Sequence, residues 1–387
     1  MHNDSELRRG GLRAGIIPSA SLACVLVAGV PVARAASGAE SVGPASLWTH
    51  DHVFANGVEP DSKSRTPQQS AQMLEDLGIR QLNYGVETKD LVTLDERIEA
   101  FKRHGIRILA WEFPYVDDSA PRFDWETYKI QDGPVLVGQG KPADHALTVR
   151  ELLQVFRRHH IAPQLWLQRP MRERATGAHS ACTPSPPKDF SEFTDEEKNR
   201  CFRAQLGYDL TTTPQERRQR IAHEADRIKA LAQLTQPYGV TVALYKHGGW
   251  LGIAENQVAV MKRLKAQGVN NVGIIYQFIH AHDEVDDTVR FASVWKAMQP
   301  DVLAVNVTGV HAGRRTIFPI LYPSQGALEG KMMKVIQDSG WQGPIGLCPE
   351  KGGDAEVNLR NNLIGLDWLA AELKQPGSGG PRPFPAE

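Results

Sequence analysis

Four cysteines in 387 residues are too few for a disulfide-built scaffold, so this chain has to fold on a buried apolar core. Charge of one sign is missing as well: 44 Lys and Arg stand against 45 Asp and Glu, a net of −1. Without a basic surplus there is no footprint for a phosphate backbone, and nucleic acid is not an expected partner. No G-x-G-x-x-G follows the first expected strand, which argues against a doubly wound dinucleotide-binding sheet. The hydrophobic share of 41% is ordinary for a globular protein of this length.

What is there begins with an export signal. Arg8, Arg9 and Arg13 precede an apolar segment over 14–32, and Ala33-Arg34-Ala35 is an A-x-A site that predicts cleavage before Ala36. A membrane anchor is the rival reading, but Pro31 and the small residues after it favour cleavage. The paired Arg8-Arg9 resembles a twin-arginine signal. The expected location is therefore periplasmic or secreted, with no membrane contact after cleavage. Residues 36–44 read as a Ser/Gly/Ala linker and 375–387, rich in Pro and Gly, as a disordered tail. Cys182 and Cys201 could close a loop of about twenty residues worth about 3 kcal/mol, or stay as two thiols in a flexible insert. Cys348 falls in an expected buried strand and reads as core.

From residue 45 to 374 apolar strands alternate with amphipathic helices. Strands are predicted near 53–58, 79–86, 106–113 and 162–168, then 242–249, 272–282, 302–309 and 344–349. Helices are predicted at 68–77, 94–104, 147–160, 214–236, 255–267, 288–298, 327–339 and 355–373, with Gly105 and Gly340 as stops. Eight such pairs predict an α/β fold, a (β/α)8 TIM barrel of one domain, with an insert over 170–213 after the fourth strand.

In a barrel, residues at the carboxyl ends of strands converge on one pocket. Those ends carry Glu112, Lys246, His247, Gln277, His280, His282, Asn306 and Glu350. His247, His280, His282 and Glu350 make an imidazole-rich candidate metal set, with zinc or manganese as the divalent ion. Histidines 280 and 282 would share a face of an extended strand. His247, His280, Glu350 and Glu112 are the candidates for proton transfer, since imidazole both takes and gives a proton near neutral pH. Lys246, Gln277 and Asn306 are expected to contact substrate, with Trp111 and Trp250 stacking on a sugar ring. Ser324-Gln325-Gly326 could offer backbone N–H groups to an anion at a helix start.

The residues 244–250 (Leu-Tyr-Lys-His-Gly-Gly-Trp), His280-Ala-His282, 305–309 (Val-Asn-Val-Thr-Gly) and Gly343-Pro-Ile-Gly346 leading to Glu350 resemble the sugar phosphate isomerase/epimerase group. These are the xylose isomerase-like barrels, and tyrosine-x-histidine-glycine-glycine at the fifth strand looks like a secreted branch. The resemblance spans about 45–373. It implies a divalent metal held by strand-end carboxylates and histidine, and proton abstraction beside a sugar carbonyl. The group's fifth-strand Glu falls on Tyr245, its sixth-strand Asp on Gln277, and its seventh-strand His and Asp on Asn306 and Gly309. Glu350 alone matches. Neutral groups in place of carboxylates suit Mg²⁺ or Mn²⁺ poorly and leave zinc or no metal as the alternatives. The expected function is an exported sugar-active isomerase, epimerase or related lyase acting on a small carbohydrate. A carbohydrate-binding protein on a decayed barrel is the alternative.

Overall fold

The computed structural model describes residues 47–57, 61–85, 93–114, 147–168, 213–246, 250–281, 288–310, 322–348 and 353–384. The expected signal peptide, the linker, the Cys182–Cys201 pair and nearly all of the 170–213 insert lie outside these residues. So do His247, His282 and Glu350.

Strand and helix alternate throughout. The order is β1 (Val53–Asn56), α1 (Pro67–Asp76), β2 (Gln81–Gly85), α2 (Leu94–Arg103), β3 (Arg107–Pro114), α3 (Val149–Arg158), β4 (Gln164–Gln168) and α4 (Pro214–Thr235). Then follow β5 (Val242–Tyr245), α5 (Ala254–Ala266), β6 (Val272–Gln277), α6 (Thr288–Met298), β7 (Val302–Val307), α7 (Glu329–Asp338), β8 (Ile345–Leu347) and α8 (Ala355–Lys374). Each strand pairs in parallel with the next, and β8 returns to β1 through Val53 opposite Ile345 and Phe54 opposite Gly346. The sheet is a closed barrel of eight strands. That closure is the (β/α)8 architecture.

Local chemistry explains where the helices begin. Thr66 with Gln69, Thr148 with Glu151 and Thr213 with Glu216 form reciprocal capping boxes at α1, α3 and α4. Such caps are typically worth about 1 kcal/mol each. Pro67 and Pro214 add a preset φ at the first helical position. At the far ends Gly105 and Gly340 turn the chain in the left-handed region, φ 67° and 75°.

Packing forms two shells. The outer shell lies between strands and helices and holds Trp111, Leu167, Leu244, Tyr276, Val305 and Leu347 among others. The inner shell fills the barrel with Phe54, Leu109, Ala110, Trp166, Ala243, Tyr245, Ile275 and Ala304. Register shifts beside Leu82/Asn83 and Ile274/Ile275 adjust which residues turn inward on β3 and β7.

The tail differs from expectation. Residues 375–384 dock back along α8 instead of lying loose. The Trp368 indole donates to the Gly380 carbonyl, Arg382 donates to the carbonyls of Ser324 and Gly326, and Phe384 packs on Tyr322. Arginine has enough donors to hold two carbonyls at once, which compositional bias toward Pro and Gly does not reveal. No described helix is long and apolar enough to cross a membrane.

Candidate functional site

Because side chains alternate along a strand, adjacent residues at each strand end part company. Asn56, Asn83, Glu112, Tyr245, Gln277, Asn306 and Cys348 sit at or beside the carboxyl ends of their strands, on the inward parity of the inner-shell residues. They rest on an aromatic floor, where Trp166 meets Phe54 edge-on at 5.8 Å and Tyr245 at 5.2 Å. Above it the Asn83 amide donates to Asn56 Oδ1 at 2.6 Å and to Glu112 Oε1 at 2.8 Å. Gly346 makes room for this layer. A Cβ there would run into Asn306 Oδ1 and come within 2.6 Å of Phe54 Cζ.

The layer is buried but not saturated. Gln277 is 3% exposed and Asn306 0%. Gln277 Oε1, Asn83 Oδ1 and the Thr308 hydroxyl have no hydrogen-bond partner among the described residues. The Tyr245 hydroxyl contacts the Asn56 and Asn306 side chains. Leaving a buried polar atom unmade costs about 1–3 kcal/mol. Here three such atoms lie in one layer toward the strand ends, where a barrel's side chains converge.

Tyr245 has a distinct electrostatic setting. Burial pushes its phenol well above the ordinary value, and the Glu112 carboxylate adds to the shift, as does Cys348. The opposing contacts to Asn56 and Asn306 are weaker. The phenol is thus neutral at physiological pH and faces the Glu112 carboxylate.

The sequence-derived candidates fall into three sets. Glu112, Gln277 and Asn306 are brought together in the inward layer. Lys246, Trp111 and Trp250 are not. Lys246 is 1% exposed, turns outward, donates to the Gly252 carbonyl at 2.9 Å and lies 5.7 Å from the Tyr276 ring centroid. Trp111 packs between sheet and helices against Tyr84 and Phe156, with ring centroids at 4.9 and 5.2 Å. Trp250 is buried in the outer shell with the Arg220 guanidinium 4.9 Å over its ring. Strand parity takes the first two away from the pocket, and the third is a packing residue. His280 is half-buried on a 3-10 turn, Phe278–His280, because β6 ends at Gln277. It therefore does not share an extended strand with residue 282. His247, His282 and Glu350 lie outside the described residues.

Asn56, Asn83 and Cys348 were not among the candidates, and Tyr245 stood only as an aromatic near the site and as the position of the resembled group's fifth-strand Glu. The signal for the two asparagines was present: Asn is unfavourable inside an apolar strand. The helix start at Ser324-Gln325-Gly326 is no anion site. Glu329 already fills it, accepting from the N–H groups of Val310, Gly326 and Leu328. Burial raises the Glu329 carboxyl while these bonds oppose the shift.

Among the described residues no three His, Cys, Asp or Glu side chains come together to hold a metal. At the positions where the resembled group keeps carboxylates stand Tyr245, Gln277 and Asn306. A hard divalent cation needs charged oxygen ligands, so the described layer does not fit magnesium or manganese. Of the imidazole set only His280 is described.

No family model and no curated protein matches the sequence. Among solved structures the chain is similar to the probable 3-DHS dehydratase of Bacillus anthracis, at 9% identity and TM-score 0.46 over 77% of this chain and 92% of that one. It is similar to the D-allulose 3-epimerase of Methylomonas sp., at 10% identity and TM-score 0.47 over 84% and 97%. A third is a xylose isomerase-like TIM barrel protein of Mycobacterium smegmatis in complex with magnesium, at 13% and 0.43 over 84% and 97%. At these values no residue role or activity carries across. The barrel stands on its own closed parallel sheet.

Proposed function

We propose that this chain is a sugar-active isomerase, epimerase or related lyase that moves a proton beside a carbonyl. The observation that carries the reading is the inward layer of buried amides and hydroxyls with unsatisfied atoms. Neutral donors and acceptors at close spacing suit a ligand dense in hydroxyl groups, and each would recover a hydrogen bond on binding. In this proposal the protein is exported through its first 35 residues and meets its substrate in the periplasm or outside the cell. His247, His280 and Glu350 are proposed as substrate contacts or as ligands of a zinc-like ion.

The test is to offer residues 36–387 a panel of unphosphorylated aldoses and ketoses and follow product by chromatography. Turnover of at least one member is expected, reduced in His247→Ala and His280→Ala. A panel left wholly unchanged contradicts the enzyme reading. The replacement of carboxylates by Tyr245, Gln277 and Asn306 favours a second reading, a carbohydrate-binding protein. Sugar binding by calorimetry with no turnover would select it. Mass spectrometry of metal in the purified chain tests the imidazole set: about one transition ion per chain supports it, and none after zinc is offered removes it.

A further inference from the structure

We infer that the C-terminal segment is a latch: Arg382 holds the turn 322–328 from outside in a strained form, and that turn fixes the end of β7 where Asn306 and Thr308 lie. The strain is at Ser324, which sits in the left-handed region at φ 78°, disfavoured for a residue with a Cβ. Ser324 is fully buried, and its hydroxyl has no partner among the described residues. Such a residue stays in place only when its surroundings hold it. Here it is held from two sides. Gly365 of α8 admits the chain closely, since a Cβ there would run into the Pro323 carbonyl. On the solvent side the Arg382 guanidinium donates to the carbonyls of both Ser324 and Gly326.

From the turn the hold passes inward through Glu329. Its carboxylate accepts from the N–H groups of Gly326 at 2.8 Å, Val310 at 3.1 Å and Leu328 at 3.2 Å. The Val310 carbonyl in turn accepts from Ala327 at 2.8 Å and Leu328 at 3.1 Å. Gly326 belongs to the same joint, because a Cβ there would overlap Glu329 Oε2 and the Val310 backbone. Burial raises the Glu329 carboxyl, while the backbone N–H groups and then the Arg382 charge oppose the shift. Val310 follows shortly after Val307, the last residue of β7, with Thr308 between them. The turn, the buried carboxylate and the strand end are therefore one connected set of contacts, and Arg382 closes it from the surface.

The segment that carries Arg382 is seated on α8. Glu372 accepts from the N–H groups of Gly377 at 2.9 Å and Gly379 at 2.8 Å, and the Ser378 hydroxyl donates to the Ala371 carbonyl at 2.8 Å. Beyond Arg382 the Phe384 ring lies 5.3 Å from Tyr322, whose hydroxyl donates to Asn358 Oδ1 at 2.6 Å. Arg382 is itself exposed, as are most residues of 375–381, so the latch can let go without opening the core. Its release should allow Ser324 to relax to an ordinary φ and free Val310. The wall of the candidate site at Thr308 would loosen while the barrel stays folded.

The experiment is amide hydrogen exchange read by mass spectrometry, on residues 36–387, on Arg382→Gln and on a chain ending at Gln375. In both variants the peptides covering 304–310 and 322–333 should exchange about tenfold faster, the order of the hydrogen bonds removed. The peptide of α3, 149–158, should keep its wild-type rate, and the melting temperature should move by less than about 4 °C. Ser324→Gly separates positioning from simple contact. Glycine takes φ 78° without strain, so in that background Arg382→Gln should speed exchange no more than about threefold. An equal rise with and without Ser324→Gly overturns the latch, because Arg382 would then be an ordinary surface contact. Unchanged exchange in these two peptides, in Arg382→Gln and in the shortened chain, overturns it as well. So does a rise that α3 shares, which would make the tail a support of the whole fold.

Discussion

Neighbouring residues on one strand show two different proteins. Trp111 and Leu244 face the helices, in a shell where buried polar groups such as Asn256 are satisfied: its amide donates to the Trp250 carbonyl and accepts from Arg217. Glu112 and Tyr245, one residue further along, face the barrel interior, where Gln277 and Thr308 carry buried atoms with no partner among the described residues. Buried atoms without a partner also occur outside the barrel, at Trp48 Nε1, Gln257 Oε1 and Asn362 Oδ1, but Asn83 Oδ1, Gln277 Oε1 and the Thr308 hydroxyl gather them toward the strand ends. The single-residue parity of a strand decides on which side a side chain lies.

The contrast can be tested by matched changes on the two faces. The largest effect is expected from tryptophan truncation. Trp166→Ala and Trp295→Ala each remove a fully buried ring, one inner and one outer, and each should cost about 3–5 kcal/mol in urea unfolding. Only the inner change should also abolish sugar turnover or binding in the fraction that stays folded. Equal functional loss from both would erase the distinction.

Gly346→Ala comes next. Its Cβ has no room beside Asn306 and Phe54, so about 1–3 kcal/mol should be lost, with the inner layer displaced. Wild-type stability by thermal melting would show that the layer is softer than described. On the outer face, Lys246→Met swaps a buried ammonium and its bond to Gly252 for a similar stem. Stability should fall by about 1–3 kcal/mol, and ligand affinity, read by calorimetry, should stay within about threefold.

The smallest effect belongs to the outer surface and depends on pH. His159 contacts Glu99 at 2.7 Å and Asp95 at 2.5 Å through its two ring nitrogens. The His159 bond, then Arg158, holds Asp95 below the ordinary carboxylate range, and Lys102 and His159 do the same for Glu99. A depressed carboxylate stabilises the fold above its unfolded value of about 4 and loses that contribution as pH falls through the folded value. His159→Gln should therefore be less stable than wild type at pH 7, with the gap narrowing toward pH 3. A gap independent of pH would mean that packing, not charge, is what His159 supplies.

The elements were legible where periodicity is strong. Helix 288–298 is found at the bounds read from its pattern, and 94–104 and 355–373 differ by one residue at the end. The inward residues were legible only in part, for a physical reason. Strands buried on both faces show no alternation of polarity, so parity has to be guessed from the strand's end. Asn306 and Gln277 announced themselves as polar residues in apolar runs, yet Asn56 and Asn83 carry the same signal. Lys246 and Trp111 drew attention by type and face the wrong way. Tyr245 could pass for core until its neighbours Glu112, Asn56 and Asn306 were seen around it.

The most direct test of the account is equilibrium unfolding of Asn306→Leu beside Asn256→Leu. Both replace a buried amide by its apolar isostere. The outer change should cost about 1–3 kcal/mol by stripping Arg217 and the Trp250 carbonyl of their partner. The inner change loses only the Tyr245 contact, so it should cost less than the outer one, with sugar binding lost. A loss at Asn306 as large as that at Asn256 would contradict the account, because the inner amide would then be part of what holds the barrel together.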